Sequence, residues 1–210
     1  MKSKILLIGI DGLNLDTALE NAPTLVALKE NGFFTPITIE PPTWSGPSWS
    51  TLLTGTKHSQ HGVIDNSFTG HKLLHHPDLL SQAFYQDQST TTFAAAGWPP
   101  LVDPIGHGPV IHERREQAKA LRHRVLVRDG ETYGYTQVDA EIATAAHYAI
   151  SQHGPDVSFV YFCGVDEAGH AFGSLVMNTR GQLRESMLTW IIYFKQFMPA
   201  LVKKNHGWLL

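Results

Sequence analysis

A carboxylate that follows a buried strand is well placed for chemistry, because in open α/β sheets ligands bind beyond the carboxyl ends of the strands. Two aspartates meet that description. Asp11 follows the apolar run Ile5–Ile10 in Gly9-Ile-Asp-Gly12, and Asp166 follows the run 157–163 in Gly164-Val-Asp-Glu-Ala-Gly-His170. Asp11 reads either as a turn or helix-capping aspartate or as a ligand. Asp166 and His170 offer a hard carboxylate and an imidazole four residues apart, able to face one cation, with Gly169 permitting a tight turn between them. A plain surface turn is the competing reading of that pair. The third feature is Ser45, in Pro42-Thr-Trp-Ser-Gly-Pro-Ser-Trp-Ser-Thr-Leu-Leu-Thr-Gly55, just ahead of a helical pattern over 48–54. Backbone N–H groups and the dipole at a helix start favour an anion such as phosphate and stabilise an ionised hydroxyl. The plain alternative is a serine N-cap. Taken together, two strand-end aspartates, an Asp/His pair and a hydroxyl at a helix start suggest metal-assisted phosphoryl transfer, in which a cation lowers the hydroxyl's pKa and binds a phosphoryl oxygen.

These residues need a scaffold of strands and helices. The continuous apolar run at 4–10 predicts a strand covered on both faces. Asn21 is a candidate cap for a helix over Pro23–Asn31, with Gly32 just past its end. Residues 33–39 read as a second strand, 78–85 as a helix, 90–96 as a strand and 98–109 as a Pro/Gly loop. Residues 113–123 read as a helix. The segments 124–127 and 132–135 flank Asp129-Gly130, a hairpin signal. Val138, Ile142, Ala145, Ala149 and Ile150 mark one helix face that Gly154-Pro155 stops. Residues 157–163 form another buried strand, and 182–203 a long apolar helix interrupted by Pro199. The pattern predicts an α/β protein with a mostly parallel central sheet and helices on both faces, one domain over 1–210, with 67–136 a candidate cap insertion.

Composition narrows the function classes. The chain has 210 residues, 42% of them apolar, and a net charge of −3. That excludes a disordered chain and gives no global field to attract nucleic acid or acidic lipid. One cysteine, Cys163, cannot form an internal bridge and fits a reducing compartment. The 12 histidines raise the prospect of metal chemistry. The first apolar run stops at Asp11, too short for a secretory signal, and no stretch reaches the roughly 18–20 apolar residues of a membrane span. A cytoplasmic location is the expectation.

Four stretches in order, Ile8-Gly-Ile-Asp-Gly12, Ser45 through Thr54-Gly55, His61-Gly-Val-Ile-Asp-Asn66 and Asp166-Glu-Ala-Gly-His170, resemble the type I phosphodiesterase/nucleotide pyrophosphatase family of the alkaline phosphatase superfamily. The resemblance implies an alkaline-phosphatase-like fold and a binuclear site for two divalent ions, usually zinc. It implies Asp11 and Ser45 on one metal, Asp166 and His170 on the other, Ser45 as nucleophile where many members have threonine, and Asn66 on a non-bridging phosphate oxygen. Thr43 is the competing nucleophile. The substrate would be a small phosphate ester. The family pattern also holds an Asp-His-Gly motif and a further histidine after the long helix. Here the chain ends at Asn205-His-Gly-Trp-Leu-Leu210, and no aspartate follows Asp166. The expectation is a truncated domain with two protein ligands per metal and impaired turnover. The competing reading is a non-catalytic α/β remnant that binds phosphate anions or a protein partner, and the apolar stretch 188–198 is a candidate surface for oligomerisation.

Other features carry plainer readings. Asp103 and His107 share the Asp-x-x-x-His spacing but lie in a Pro/Gly loop and match no family metal motif. His58 and His61 read as loop-stabilising, and His71, His75 and His76 as a solvated loop. Six Lys/Arg between 114 and 128 read as a solvated helix face, with a steering patch for an anionic substrate as the sharper alternative. Cys163 reads as a small core residue. No G-x-G-x-x-G follows the first strand, so a dinucleotide fold is disfavoured.

Overall fold

The computed structural model describes residues 4–172 and 207–209. In chain order they form β1 (Ile5–Ile10), α1 (Leu15–Asn21), α2 (Pro23–Asn31), α3 (Ser45–Thr54), α4 (His58–His61), α5 (Leu79–Gln86), β2 (Thr92–Ala96), α6 (Arg115–Lys119), β3 (His123–Val127), α7 (Gly130–Tyr133), α8 (Tyr135–Tyr148), β4 (Val157–Phe162), α9 (Gly164–Phe172) and β5 (Gly207–Leu209). The five strands make one sheet in the order β3-β2-β4-β1-β5. Every described pairing is parallel, with Ile10 opposite Phe162 and Ala96 opposite Tyr161.

The apolar runs form strands because both of their faces are covered. All five residues of β2 and all six of β4 are buried. Alternation sends Leu6, Ile8, Phe93, Ala95, Val160 and Phe162 to one face, where they meet Val138, Ile142 and Ala146 of α8. Ala94, Ala96, Phe159 and Tyr161 face the other way, onto Trp49 and Leu53 of α3 and Leu80 of α5. Each large apolar side chain so buried contributes roughly 1.5–3 kcal/mol.

Several expectations need correction. Residues 33–39 form no strand: Pro36 lacks a donor for a ladder, and Phe33 and Ile37 are 91% and 67% exposed. Asn21 ends α1 rather than capping α2, whose N-cap is Ala22 without a side-chain bond. The helix expected at 113–123 is only Arg115–Lys119, because Leu121 takes a positive φ of 57° and His123 begins β3. Asp129-Gly130 makes no hairpin. Asp129 accepts from Thr132 N–H and caps α7, while β3 pairs in parallel with β2. The stretch 67–136 contributes two strands, β2 and β3, to the central sheet. The expected helix at 182–203, with its apolar stretch 188–198, lies outside the described residues.

Candidate active site

β1 and β4 are neighbours with Ile10 level with Phe162, so whatever follows them emerges side by side. Asp11 N–H extends the ladder by donating to Phe162 O at 3.0 Å. The chain then turns through Gly12 at φ +64°, and a Cβ there would lie 2.6 Å from Asp166 Cα. Only glycine lets this turn close onto the first turn of α9. As a result one carboxylate oxygen of Asp11, one of Asp166 and the sulfur of Cys163 lie within 4.8 Å of one another.

Asp11 is held by three donors. Trp49 Nε1–H and Tyr161 O–H donate to its Oδ2 at 3.0 and 2.5 Å, and Gly12 N–H donates to its Oδ1 at 3.0 Å. Trp49 reaches Asp11 because Gly9 has no side chain: a Cβ on Gly9 would sit 2.5 Å from the indole ring. The Asp166 carboxyl is held above its ordinary range, first by burial and then by the Asp11 charge, with His170 opposing the shift. His170 lies on the same helix, its Nε2 3.4 Å from Asp166 Oδ2, and its side chain is 82% exposed. The pair therefore sits on successive turns of α9, not around a tight turn at Gly169. Two carboxylates at such range repel by about 3–4 kcal/mol at an effective dielectric constant near 20. A bound cation would remove that cost.

Ser45 is the first residue of α3, half-buried. Its helix turn is tied to both partners expected of it. Trp49, one turn on, bonds Asp11, and Gly46 N–H donates to Asn66 Oδ1 at 2.7 Å. A Cβ on Gly46 would lie 3.0 Å from that same oxygen and 2.8 Å from Asp65 O. The expectation of free amides at this helix start is narrowed to Ser45 N–H. Gly46 N–H is taken by Asn66, Pro47 has none, and Ser48 N–H bonds Trp44 O. Asn66 Oδ1 faces Gly46, which turns the amide so that Nδ2, a donor, points away from it.

Some participants were not found from sequence. Asp139, on the buried face of α8, accepts from Cys163 N–H at 3.2 Å and Gly164 N–H at 2.8 Å, fixing the chain where β4 becomes α9. Burial, partly offset by those two bonds, raises its carboxyl to about 6. The signal was present: Asp139 shares the apolar stripe with Tyr135, Ile142, Ala143 and Ala146. Trp49 and Tyr161 carried no signal beyond aromatic bulk. Cys163 is a buried core residue as read, yet its sulfur also meets the two carboxylates.

The plainer readings find local partners. Asp103 accepts from Ile105 N–H in a turn. His61 Nδ1 accepts from Val63 N–H and its Nε2 meets Thr51 Oγ1, while His71 Nδ1 accepts from Leu73 N–H. In the basic run, Arg115, Lys119 and Arg128 pair with Glu113, Glu116 and Glu141, and Arg114 is buried. Among the described residues no helix is long and apolar enough to cross a membrane.

Fold and site now define a class: a parallel α/β sheet with an acidic cluster at its strand ends beside a serine-headed helix. The sequence profile of the type I phosphodiesterase/nucleotide pyrophosphatase family matches residues 5–186, and the chain belongs to that family. Among solved structures it is similar to murine ectonucleotide pyrophosphatase/phosphodiesterase 5, at 20% identity and a TM-score of 0.64 over 98% of this chain and 55% of that one. An inactive form of the same mouse protein in complex with AMP aligns at 18% identity and a TM-score of 0.64, over 99% and 55%. Phosphonoacetate hydrolase from Sinorhizobium meliloti 1021, in complex with phosphonoformate, aligns at 15% identity and a TM-score of 0.64, over 95% and 54%. The fold is thus alkaline-phosphatase-like, and the chain spans about half the length of these structures. No curated protein sequence matches it.

Proposed function

We propose that the chain carries the catalytic module of a metal-dependent hydrolase of phosphate esters, with Ser45 as nucleophile. The observation that carries this reading is the meeting of Asp11 and Asp166 at adjacent strand ends, with the Ser45 turn tied to Asp11 through Trp49. Oxygen donors of this kind, reinforced by an imidazole one helical turn away, suit divalent cations. Asp11 with Ser45, and Asp166 with His170, would hold two such ions, and zinc is the family's usual occupant. The ions would supply Lewis-acid polarisation of a phosphoryl oxygen and offset the charge of the attacking and leaving oxygens.

The chain's own groups do the remaining work. Trp49, Tyr161 and Gly12 fix the Asp11 carboxylate, so it need not reorganise when a cation binds. Asn66 donates from Nδ2 to a non-bridging phosphate oxygen. Ser45 Oγ, its proton lost to solvent, bonds to phosphorus as the alcohol leaves, and water then hydrolyses the Ser45 phosphate ester. The AMP and the phosphonoformate bound by the two similar proteins share a phosphoryl group, so the substrate class is a phosphate ester or phosphonate.

The test is turnover of an aryl phosphate and an aryl phosphodiester with added zinc, by the chain and by Ser45→Ala. The expected result is a fall of about 10³-fold or more in the variant, with an unchanged melting temperature. Full activity in the variant would move the nucleophile to Thr43 or to water. Phosphate binding without any turnover would favour the non-catalytic reading.

A further inference from the structure

Cys163 is set where the chain leaves β4, one residue past Phe162 and three before Asp166. Its sulfur shares the 4.8 Å cluster with a carboxylate oxygen of each aspartate. Tyr135 and Tyr161 are packed with Cys163 in one buried cluster. Tyr161 O–H donates to Asp11 Oδ2. The backbone on either side is pinned, since Cys163 N–H and Gly164 N–H both donate to the buried Asp139. The sulfur is therefore not a loosely packed filler at the rim. It is a positioned donor whose neighbours are two carboxylates and two phenols.

We propose that Cys163 is a metal ligand, its thiolate adding a sulfur donor between Asp11 and Asp166 to the divalent cations, borderline or thiophilic ones such as zinc, that those carboxylates would hold. The proposal rests on the metal-dependent reading above and deepens it by naming a donor that neither the strand-end pattern nor the family resemblance supplies. The geometry is compatible: around zinc, with bonds of about 2.0–2.2 Å to oxygen and 2.3 Å to sulfur, donors stand roughly 3.3–3.7 Å apart. A small contraction of the observed cluster reaches that spacing. The charge is compatible too. Two carboxylates and a thiolate bring three negative charges to a site where cations must otherwise repel one another. Binding exchanges the S–H bond for a sulfur–metal bond, and the proton leaves to solvent, so no oxidant or reductant is needed and affinity falls as pH falls. A sulfur donor shifts preference away from magnesium and manganese and toward zinc and cadmium.

The experiment is titration of the purified 210-residue chain with cobalt(II), read by absorbance, and repeated with Cys163→Ser and Cys163→Ala. Cobalt bound to thiolate gives a near-ultraviolet sulfur-to-metal charge-transfer band, whereas cobalt bound only to oxygen and nitrogen gives weak visible bands alone. The expected result is a charge-transfer band in the wild type that both variants lack. Cadmium affinity should fall about tenfold or more in Cys163→Ser, at least the loss that removing a mere outer-shell partner produces, with manganese affinity little changed. Cobalt bound in the wild type without a charge-transfer band overturns the cysteine assignment and leaves the metal reading standing. No cobalt bound at all overturns both. Should the variants fail to fold, the wild-type band still decides, with Asp166→Asn as a second variant that should weaken binding and keep the band at saturating cobalt.

Discussion

Two polar clusters, one buried and one half-buried, are built on opposite principles. Around Asp78 the carboxylate and both guanidinium NH2 groups are answered, leaving Arg114 Nε and His123 Nε2 as the unpartnered atoms of the network among the described residues. Its carboxylate accepts from Leu80 N–H, Ser81 N–H, Ser81 O–H and His112 N–H, and the nearby Arg114 guanidinium donates to Ser81 Oγ, Thr92 Oγ1 and His123 Nδ1. That network ties α5, the loop at 112–114 and the sheet together. At the ends of β1 and β4, by contrast, two carboxylates and a thiol converge, and the imidazole beside Asp166 is that of the exposed His170. The first cluster spends its charges on holding the fold. The second keeps like charges together at a cost, which is what a site awaiting a cation does.

The contrast predicts effects of opposite sign. Arg114→Met should destabilise the chain by about 3–5 kcal/mol, the usual result of leaving one member of a buried charged network without its partner. Asp166→Asn should instead stabilise the metal-free chain, by about 0.5–2 kcal/mol, as relief of a functional site commonly does. Urea unfolding in the presence of a chelator measures both. A loss of stability in Asp166→Asn comparable to that in Arg114→Met would erase the distinction between the clusters.

Acid should separate them further. His61 and His123 are buried, and burial lowers both imidazoles to about 4; the His58 charge adds for His61 and the Arg114 charge for His123. Both rings are neutral in the fold, while in the unfolded chain they take up a proton near pH 6.5. Their contribution is complete above that value and is lost as pH falls toward 4. The magnitude is at most about 3 kcal/mol for each ring. Asp139 works the other way. With a folded pKa of about 6 against 3.8 unfolded, its contribution is complete at low pH and lost as pH rises through 6. Between about pH 4 and 6 two histidines therefore oppose one aspartate, and stability should rise with pH, at a net slope of about one proton. Removing Asp139 as the opposing group, in Asp139→Asn, should steepen that rise. A flat profile from pH 4 to 6.5 would mean that the histidines are not held neutral.

How far the sequence foretold this depends on the physics behind each signal. Strands β1, β2 and β4 were legible because burial on both faces leaves an unbroken apolar run. Asp11, Ser45, Asp166 and His170 stood out by type at strand ends and a helix start, Asn66 came only from the family resemblance, and the fold brings Asp11 to Asp166. Contacts made by packing were not. Gly9 and Gly12 are each followed by an ordinary residue in sequence, yet one admits the Trp49 ring and the other the Asp166 backbone. Nothing local in the chain marks such approaches. The apolar residues of 33–39 misled for the complementary reason: β propensity is a preference for a half-buried pleated surface, and this segment has no sheet to join.

The smallest expected effect is the sharpest test of the helix start. Asn66→Ala removes the acceptor of Gly46 N–H and should cost about 1 kcal/mol of stability, as loss of a helix cap does. It also removes the Nδ2 donor proposed for phosphate, worth about 2–4 kcal/mol of transition-state stabilisation if it behaves like a single oxyanion-hole donor. Those roles can be parted. Asn66→Asp keeps an oxygen for Gly46 N–H, and a carboxylate at the first turn of a helix is favourable, so stability should return to that of the wild type. The same substitution offers phosphate an acceptor and a negative charge where a donor stood, so phosphate affinity should fall further than in the alanine variant. Stability by urea unfolding and affinity for inorganic phosphate by calorimetry, compared across the two variants, give the answer. If aspartate, which keeps the cap, leaves phosphate affinity at the wild-type value, Asn66 serves only to cap α3 and the phosphate contact belongs to another group.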